Sequence, residues 1–566
     1  MTLPQATAEV DDTLHRQQQE EAHARIASAT SILALGNVTS RILGLAREMV
    51  LTFFFGASVL VDAFQVATIV IRAVYDLLIG GHVNGAFVPV LSEIVTLQGK
   101  KELWRVVSIL ISLTFTTLAV LTLLIYLFAP QIVDVTAGGA STETRQIATN
   151  LLRFTSPALI FMGLFAVLSG TLYALKQFTF PAFAGAIFNG AIVLLTVVFT
   201  PRYQVSFVSP QTFLSTLDYL SPLHIVRPSD GIVVVAVGWL VGAFAQMAVQ
   251  MIDLRKAKLR FTIHWKHPAL NSILLLYAPV MLSLIMDTLI IRPFSYNLAS
   301  QTGEGSIAYM NWATTLIQFP QGLVATAISI AILPTLASQA VLLDDTQRAF
   351  KETLGLGLRL TTTLIIPATL GLFVLGHPII EMLFEHGAFT AKDTAITLDA
   401  LNLYLIGLPF AAIDLLLVYA FYARKDTLTP TLIGIFSLLV YVITAILLLP
   451  HFGLFSLMIA DSIKHIVHAV ISAVILHRRV GGFSHQRLLP NAIKTLIAGI
   501  AMSIVALIIT PFITQAIGSY GIIREAIIMG IIGAISGSVF VFVALVLGIE
   551  ELRWLITLIR KRLHRA

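Results

Sequence analysis

Between residues 29 and 548 the chain alternates long apolar runs with short polar breaks. A helix that crosses a bilayer needs roughly 20 mainly apolar residues. Runs of that length predict fourteen spans, at 29–55, 62–95, 103–130, 148–176, 181–201, 230–254, 270–299, 305–338, 355–384, 395–423, 428–449, 453–477, 490–516 and 522–548. Pro or Gly marks several breaks, as at Pro130, Pro181, Gly303 and Pro450, where a missing N–H or a freer backbone turns the chain. Residues 1–28 are polar with mixed charge and include the run Gln17, Gln18 and Gln19. With no apolar core close to Met1, they read as a short cytosolic tail rather than a cleaved signal peptide.

Composition agrees with the pattern. Hydrophobic residues make up 57% of the 566 and charged residues 12%, with a mean hydropathy of +0.89. A soluble chain carries about 25% charged residues, so this one lacks the polar surface to stay in water. The expected class is an all-α polytopic membrane protein. Cysteine is absent, which removes disulfides, thiolate metal sites and cysteine nucleophiles together.

A formal charge of +6 suggests nucleic acid only until the cations are placed. Loops after even-numbered spans carry Lys100 and Lys101, a cluster from Arg255 to Arg260, Arg424 and Lys425, and Arg478 and Arg479, and the C-terminal tail adds Arg560, Lys561 and Arg562. The opposite loops hold Arg145, Arg202, Arg227, Lys392 and Arg524. The positive-inside rule then puts both termini in the cytosol. The basic tail 549–566 is expected to lie against anionic headgroups, and no nucleic-acid partner is needed to explain the charge.

A repeat lies under the apolar pattern. At an offset of 245, Arg47 matches Arg292, Ala63 matches Ala308, Pro89 matches Pro334 and Leu91 matches Leu336. At an offset of 249, Tyr173-Ala174 returns as Tyr422-Ala423, Lys176 as Lys425, Pro181 as Pro430 and Gly185 as Gly434. Six spans separate the copies, so both point the same way through the membrane. The pattern predicts two six-helix lobes, 29–254 and 255–489, related by a pseudo-twofold along the membrane normal. Spans 13 and 14, within 490–548, stand outside the repeat.

Charges inside apolar spans are costly and normally face a cavity or a partner. Arg41, Arg47, Arg72 and Arg292 are expected to line one polar cavity between the lobes, where guanidinium groups can grip phosphate bidentately. Arg41 and Glu48 lie about two helical turns apart on one face, and Arg72 and Asp76 are spaced for an intrahelical pair. Asp461 and Lys464 are spaced to neutralise each other. Asp287 and Asp414 lack a local partner; each is a candidate either for a coupling-ion, proton-carrying or gating role or for an interhelical ion pair. Gly80-Gly81 in span 2 is a candidate hinge.

The stretch Ser40-Arg-Ile-Leu-Gly-Leu-Ala-Arg47-Glu, then Phe55-Gly-Ala, Asp62-Ala-Phe and Gly85-Ala-Phe-Val-Pro89, resembles the MurJ/MviN family of lipid II flippases. Further matches are Met286-Asp-Thr, Gly305-Ser-Ile, Phe319-Pro-x-Gly322, Ile332-Leu-Pro334 and Phe421-Tyr-Ala-Arg-Lys-Asp-Thr-Leu-Thr-Pro430. The resemblance implies fourteen helices, a cationic cavity and alternating access, with spans 13 and 14 forming a groove for a lipid tail. It implies a lipid-linked diphosphate substrate, undecaprenyl-diphosphate carrying a peptidoglycan precursor, and contact with membrane lipids. It places Arg41, Arg47 and Asp62 at the family's functional first-lobe positions. Two family arginine positions fall instead on Tyr75 and Thr315, and Arg72 and Arg292 are expected to supply the missing charge. The polar pair that a sodium site would want in span 11 reads Tyr441 and Ala445.

Rival readings are a flippase for another polyprenyl-diphosphate oligosaccharide and a non-transporting scaffold for other cell-wall synthesis proteins, which are candidate partners in any case. A membrane glycosyltransferase needs acidic groups in a sizeable extramembrane cleft, yet the long outer loop near 202–229 offers Asp218 alone. No P-loop and no His-Glu-x-x-His motif is present, so no enzymatic activity, cofactor or metal is expected.

Overall fold

The computed structural model describes residues 35–78, 82–200, 231–255, 257–270, 285–340, 347–482, 486–518 and 521–563, with 32–33, 273 and two short strands. The predicted hinge, Gly80-Gly81, lies outside the described residues. The first half comprises α1 (residues 35–55), α2 (Val59–Leu78), α3 (His82–Leu97), α4 (Lys100–Leu127), α5 (Ala129–Ala137), α6 (Thr142–Thr155), α7 (Ala158–Ala174), α8 (Thr179–Phe199) and α9 (Gly231–Asp253). Between α8 and α9, strands Tyr203–Val205 and Leu223–Ile225 pair antiparallel with Gln204 opposite His224.

A π-helical turn, Met286–Ile291, leads into α10 (Arg292–Ser300); α11 (Ser306–Pro320) continues through a second π turn, Gln321–Thr326, into α12 (Ala327–Ala340). Then follow α13 (Arg348–Phe384), α14 (Ala391–Ala423), α15 (Leu428–Phe452), α16 (Phe455–Val480), α17 (Leu488–Ile517), α18 (Ile522–Val546) and α19 (Glu550–Leu563). Among the described residues ten helices are long and apolar enough to cross a membrane, or eleven when α6 and α7 count as one bent span. The other three predicted spans, 29–55, 62–95 and 270–299, each contain residues outside the described set. The chain is a multi-pass membrane protein.

Its helices are inside-out relative to those of a soluble bundle. Along α15, Pro430, Ile433, Ser437, Tyr441 and Ala445 are buried at helical spacing, while Leu432, Phe436, Leu439, Ile443 and Leu447 are exposed. Small and polar groups face protein and aliphatic ones face outward, as lipid requires. The 43° bend between α6 and α7 falls at Pro157, whose missing N–H cannot continue the helical ladder.

The repeat is visible in local geometry. Lys176 and Lys425 both take a left-handed φ of 61°. The N–H of Gln177 donates to Leu172 O at 2.9 Å, and that of Asp426 to Phe421 O at 3.0 Å. The Tyr-Ala-x-Lys spacing thus ends α7 and α14 with the same 6→1 helix-terminating bond. Packing repeats too: α8 lies on α9 as α15 lies on α16, α7 on α9 as α14 on α16, and α4 on α7 as α13 on α14.

Contacts between the halves gather at one end, where α5 packs on α10 and α2 on α10 and α11. The Ala388 N–H donates to Phe53 O at 2.8 Å. Asn297 Nδ2 donates to Val135 O at 2.8 Å and the Gly139 N–H to Ser300 Oγ at 3.1 Å. A Cβ on Gly56 would lie 2.4 Å from Ala388 O. Backbone meets backbone here, and this end is shut. At the chain's C-terminus, the buried Glu551 of α19 pairs with Arg359 of α13, which ties the amphipathic α19 to the bundle.

Candidate functional site

Three helices converge beyond the shut end. Positions 41, 44, 45, 47 and 48 of α1, positions 65 and 72 of α2, and Asn311, Thr314, Thr315, Gln318 and Phe319 around α11 line a cavity of about 200 Å³. At about 30 Å³ per water, that is room for roughly seven waters or a compact anionic group. Arg41, Arg47 and Arg72 therefore meet, as their positions within apolar runs predicted.

Each guanidinium is held differently. Arg47 donates to Glu48 Oε1 through Nη2 at 2.6 Å and Nε at 3.2 Å, and through Nη1 to Asn189 Oδ1 of α8 at 3.0 Å. Arg72 finds neutral partners one and two turns back, Thr68 Oγ1 at 3.2 Å and Gln65 Oε1 at 3.0 Å, and its buried Nε has none. Arg41 reaches across to α11, donating to Gln318 O at 3.4 Å. Beneath them, the buried Trp239 of α9 has the Arg72 and Arg47 guanidinium carbons 5.6 and 5.8 Å from its ring centroid. The indole face attracts both cations electrostatically. With Glu48 offset by Arg47, the charges of Arg41 and Arg72 remain available to an anion.

Gly322 explains Arg41's place. A Cβ there would lie 2.3 Å from Arg41 Nη2, so glycine in the Phe319-Pro-x-Gly segment leaves the space the guanidinium fills. Pro320 removes an N–H at the π turn that presents Gly322.

Several expectations need correction. Arg292 is not among the described residues lining the cavity; its Nη1 pairs with Asp76 Oδ2 at 2.9 Å. Arg292 belongs to α10 and Asp76 to α2, so this is a bridge between halves, and it displaces the expected Arg72–Asp76 pair. Sequence symmetry between Arg47 and Arg292 is not matched in their surroundings: Arg47 is held by Glu48 and lines the cavity, and Arg292 is held by Asp76. Asp62 also leaves the cavity: its carboxylate is buried and accepts the N–H groups of Gly305 at 2.7 Å and Ala308 at 2.9 Å. It caps the N-terminus of α11, whose first-turn N–H groups attract an anion, and holds the shut end.

Thr315, at a family arginine position, lines the cavity, whereas Tyr75, at the other, packs against the apolar core. Asp287 falls in the first π turn, and its side chain lies outside the described residues. Asp414 has a partner from a later helix, His468, at 2.5 Å. Asp461 and Lys464 pair at 2.5 Å as their spacing predicted. Among the described residues, no group of three or more His, Asp or Glu side chains could hold a metal ion.

Reading the sequence alone missed Trp239 and Asn189. Trp239 is the one tryptophan of α9 and Asn189 the one amide of α8, a signal that a search confined to charges passes over.

A family model for the lipid II flippase MurJ matches residues 51–526. A lipid II flippase MurJ of Burkholderia cenocepacia is 29% identical over 431 residues, covering 73% of this chain and 76% of the relative. Among solved structures, a lipid II flippase MurJ in an inward closed conformation aligns with a TM-score of 0.70 at 26% identity, over 93% of this chain and 99% of that one. An inward-facing multidrug resistance MATE family transporter of the MOP superfamily aligns at 0.61 with 14% identity, covering 78% and 94%, which speaks for the fold alone. The chain belongs to the MurJ lipid II flippase family.

Proposed function

We propose that the chain carries lipid II from the cytosolic to the outer leaflet of a bacterial inner membrane by alternating access, with both termini cytosolic. The observation that supports it is the convergence of Arg41, Arg47 and Arg72 on Trp239 in a cavity beside a shut end. A diphosphate is a bidentate acceptor for guanidinium, and Arg41 and Arg72 carry charge that no carboxylate offsets among the described residues.

In this reading residues 29–254 and 255–489 rock as two lobes and the shut end faces outward. Opening it requires Asp62 to release the N-terminus of α11. The lipid tail follows the apolar surface of the last two spans, and on α18 Ala534, Ile535, Val539 and Phe542 line a shallow groove. Moving charge through the membrane field exchanges about 2.3 kcal/mol per charge per 100 mV, so an outside-positive potential favours outward passage of the anion.

Reconstitution tests this directly. The purified chain in liposomes is expected to move labelled lipid II between leaflets and to sustain growth of a strain depleted of its own lipid II flippase. No movement of lipid II, together with movement of a different polyprenyl-diphosphate glycan, would reassign the substrate.

A further inference from the structure

The second half holds a polar cavity that the anion site does not use. It measures about 270 Å³ and is lined by residues of α14, α15 and α16, among them Asp414, Tyr422, Ser437, Lys464, His465 and His468. His468 lies twelve residues before the end of α16, about 18 Å along the helix axis, and thus deep in the span. Its Nδ1 is 2.5 Å from Asp414 Oδ1 and 3.3 Å from Ser472 Oγ. Its Nε2 faces α15 at Gly434, where an added Cβ would lie 3.7 Å away.

Charged and titratable neighbours come from all three helices. From α14 come Asp414 and Tyr422; from α15, Tyr441, whose ring lies 5.6 Å from Lys464 Nζ; from α16, Asp461, Lys464 and His465. Asp461 is already matched by Lys464 at 2.5 Å and faces His465 at 3.6 Å. A metal cation here would meet an ammonium and two imidazoles, with each carboxylate already held by nitrogen. Ionisable groups at this depth are rare and mark ion or proton pathways, and imidazole is the side chain that exchanges a proton near neutral pH.

We propose that Asp414 and His468 form a proton-binding site whose occupancy sets the balance between the shut and open arrangements of the transport cycle. The proposal rests on the transporter reading above but not on the identity of the lipid. With a proton, carboxylate and imidazolium form a neutral bonded pair that closes α16 onto α14. Without it the pair keeps one uncompensated negative charge, which a low-dielectric interior disfavours and which water entry between the helices relieves. α14 transmits the change because it also holds α11 at the shut end, where Tyr309 Oη donates to Asp393 Oδ1 at 2.5 Å. Protonation therefore favours the shut arrangement, and loss of the proton favours opening.

The cysteine-free chain allows a direct test with spin labels on Glu143→Cys and Lys392→Cys, both exposed and in opposite halves. In lipid nanodiscs, pulsed EPR should show the longer-distance population growing by about threefold or more from pH 6 to pH 8. Asp414→Asn and His468→Gln should each make the distribution indifferent to pH, while His267→Gln, in the segment after α9 and facing Glu102 of α4, should leave the response intact. Identical distributions at both pH values in the parent chain would overturn the proposal, as would a response that survives in both cavity variants. Absence of lipid II movement alongside a pH-linked distance change rejects the lipid reading alone. Lipid movement with pH-indifferent distances rejects the proton site alone.

Discussion

The two polar cavities, one between the halves of the internal repeat and one within its second half, carry opposite chemistry. In the first half, guanidinium groups gather on an indole face, and Arg41 and Arg72 have neutral partners. In the second, each carboxylate has a nitrogen from within the same half, Asp414 with His468 and Asp461 with Lys464. A duplicated scaffold has kept its helix-ending turns while its interior diverged. One half is prepared for an external anion, and the other is balanced within itself and adjustable by a single proton.

The sharpest way to break this contrast is Arg72→Ala. A charge-assisted hydrogen bond contributes about 1.5–3 kcal/mol, so lipid II transport in liposomes should fall by roughly 10- to 150-fold while thermal stability holds, since no carboxylate is stranded. Unchanged transport would remove the anion site from the first half. The mirror experiment is Lys464→Ala, which strands Asp461. Stability should fall by about 1–3 kcal/mol, less than for a fully buried pair because both side chains keep some exposure, while substrate affinity stays level. Loss of affinity in that variant would merge the two cavities into one functional unit.

Trp239→Leu removes the surface under Arg47 and Arg72. At about 0.5–2 kcal/mol per cation–π contact, affinity for a diphosphate lipid should weaken by several-fold, and Trp239→Phe should recover part of it in a binding titration. Gly322→Ala pushes the Arg41 guanidinium aside and should lower affinity by a few-fold at constant melting temperature. The smallest effect is expected from Asp76→Asn, since a half-exposed ion pair contributes about 0.2–1 kcal/mol. Transport should then be retained, with a melting temperature close to that of the parent chain. A complete loss of transport would instead return Arg292 to the substrate site.

Much of this was legible before any coordinates. Long apolar runs placed the spans that the described residues contain, and Pro and Gly placed several breaks. Arg41, Arg47 and Arg72 were marked by their cost in an apolar setting, and they do converge. Repeat spacing paired Lys176 with Lys425, and the structure gives both the same left-handed turn. Partner choice was not legible: Arg72 was offered Asp76 by helical spacing, but Arg292 from a distant helix took it. Asp414 seemed alone because its partner lies on another helix, 54 positions further along. Asp62 carries a family motif, yet its role as the cap of α11 depends on how the two halves meet.

The division has a physical cause. Transfer of side chains between water and lipid is a one-body quantity, summed along the chain, so hydropathy alone determined the membrane class, the spans and which charges were anomalous. Ion pairs, a cation over an indole and a glycine that leaves room for a guanidinium are many-body facts. They depend on angstrom-scale distances between helices, and only the packed tertiary structure decided them.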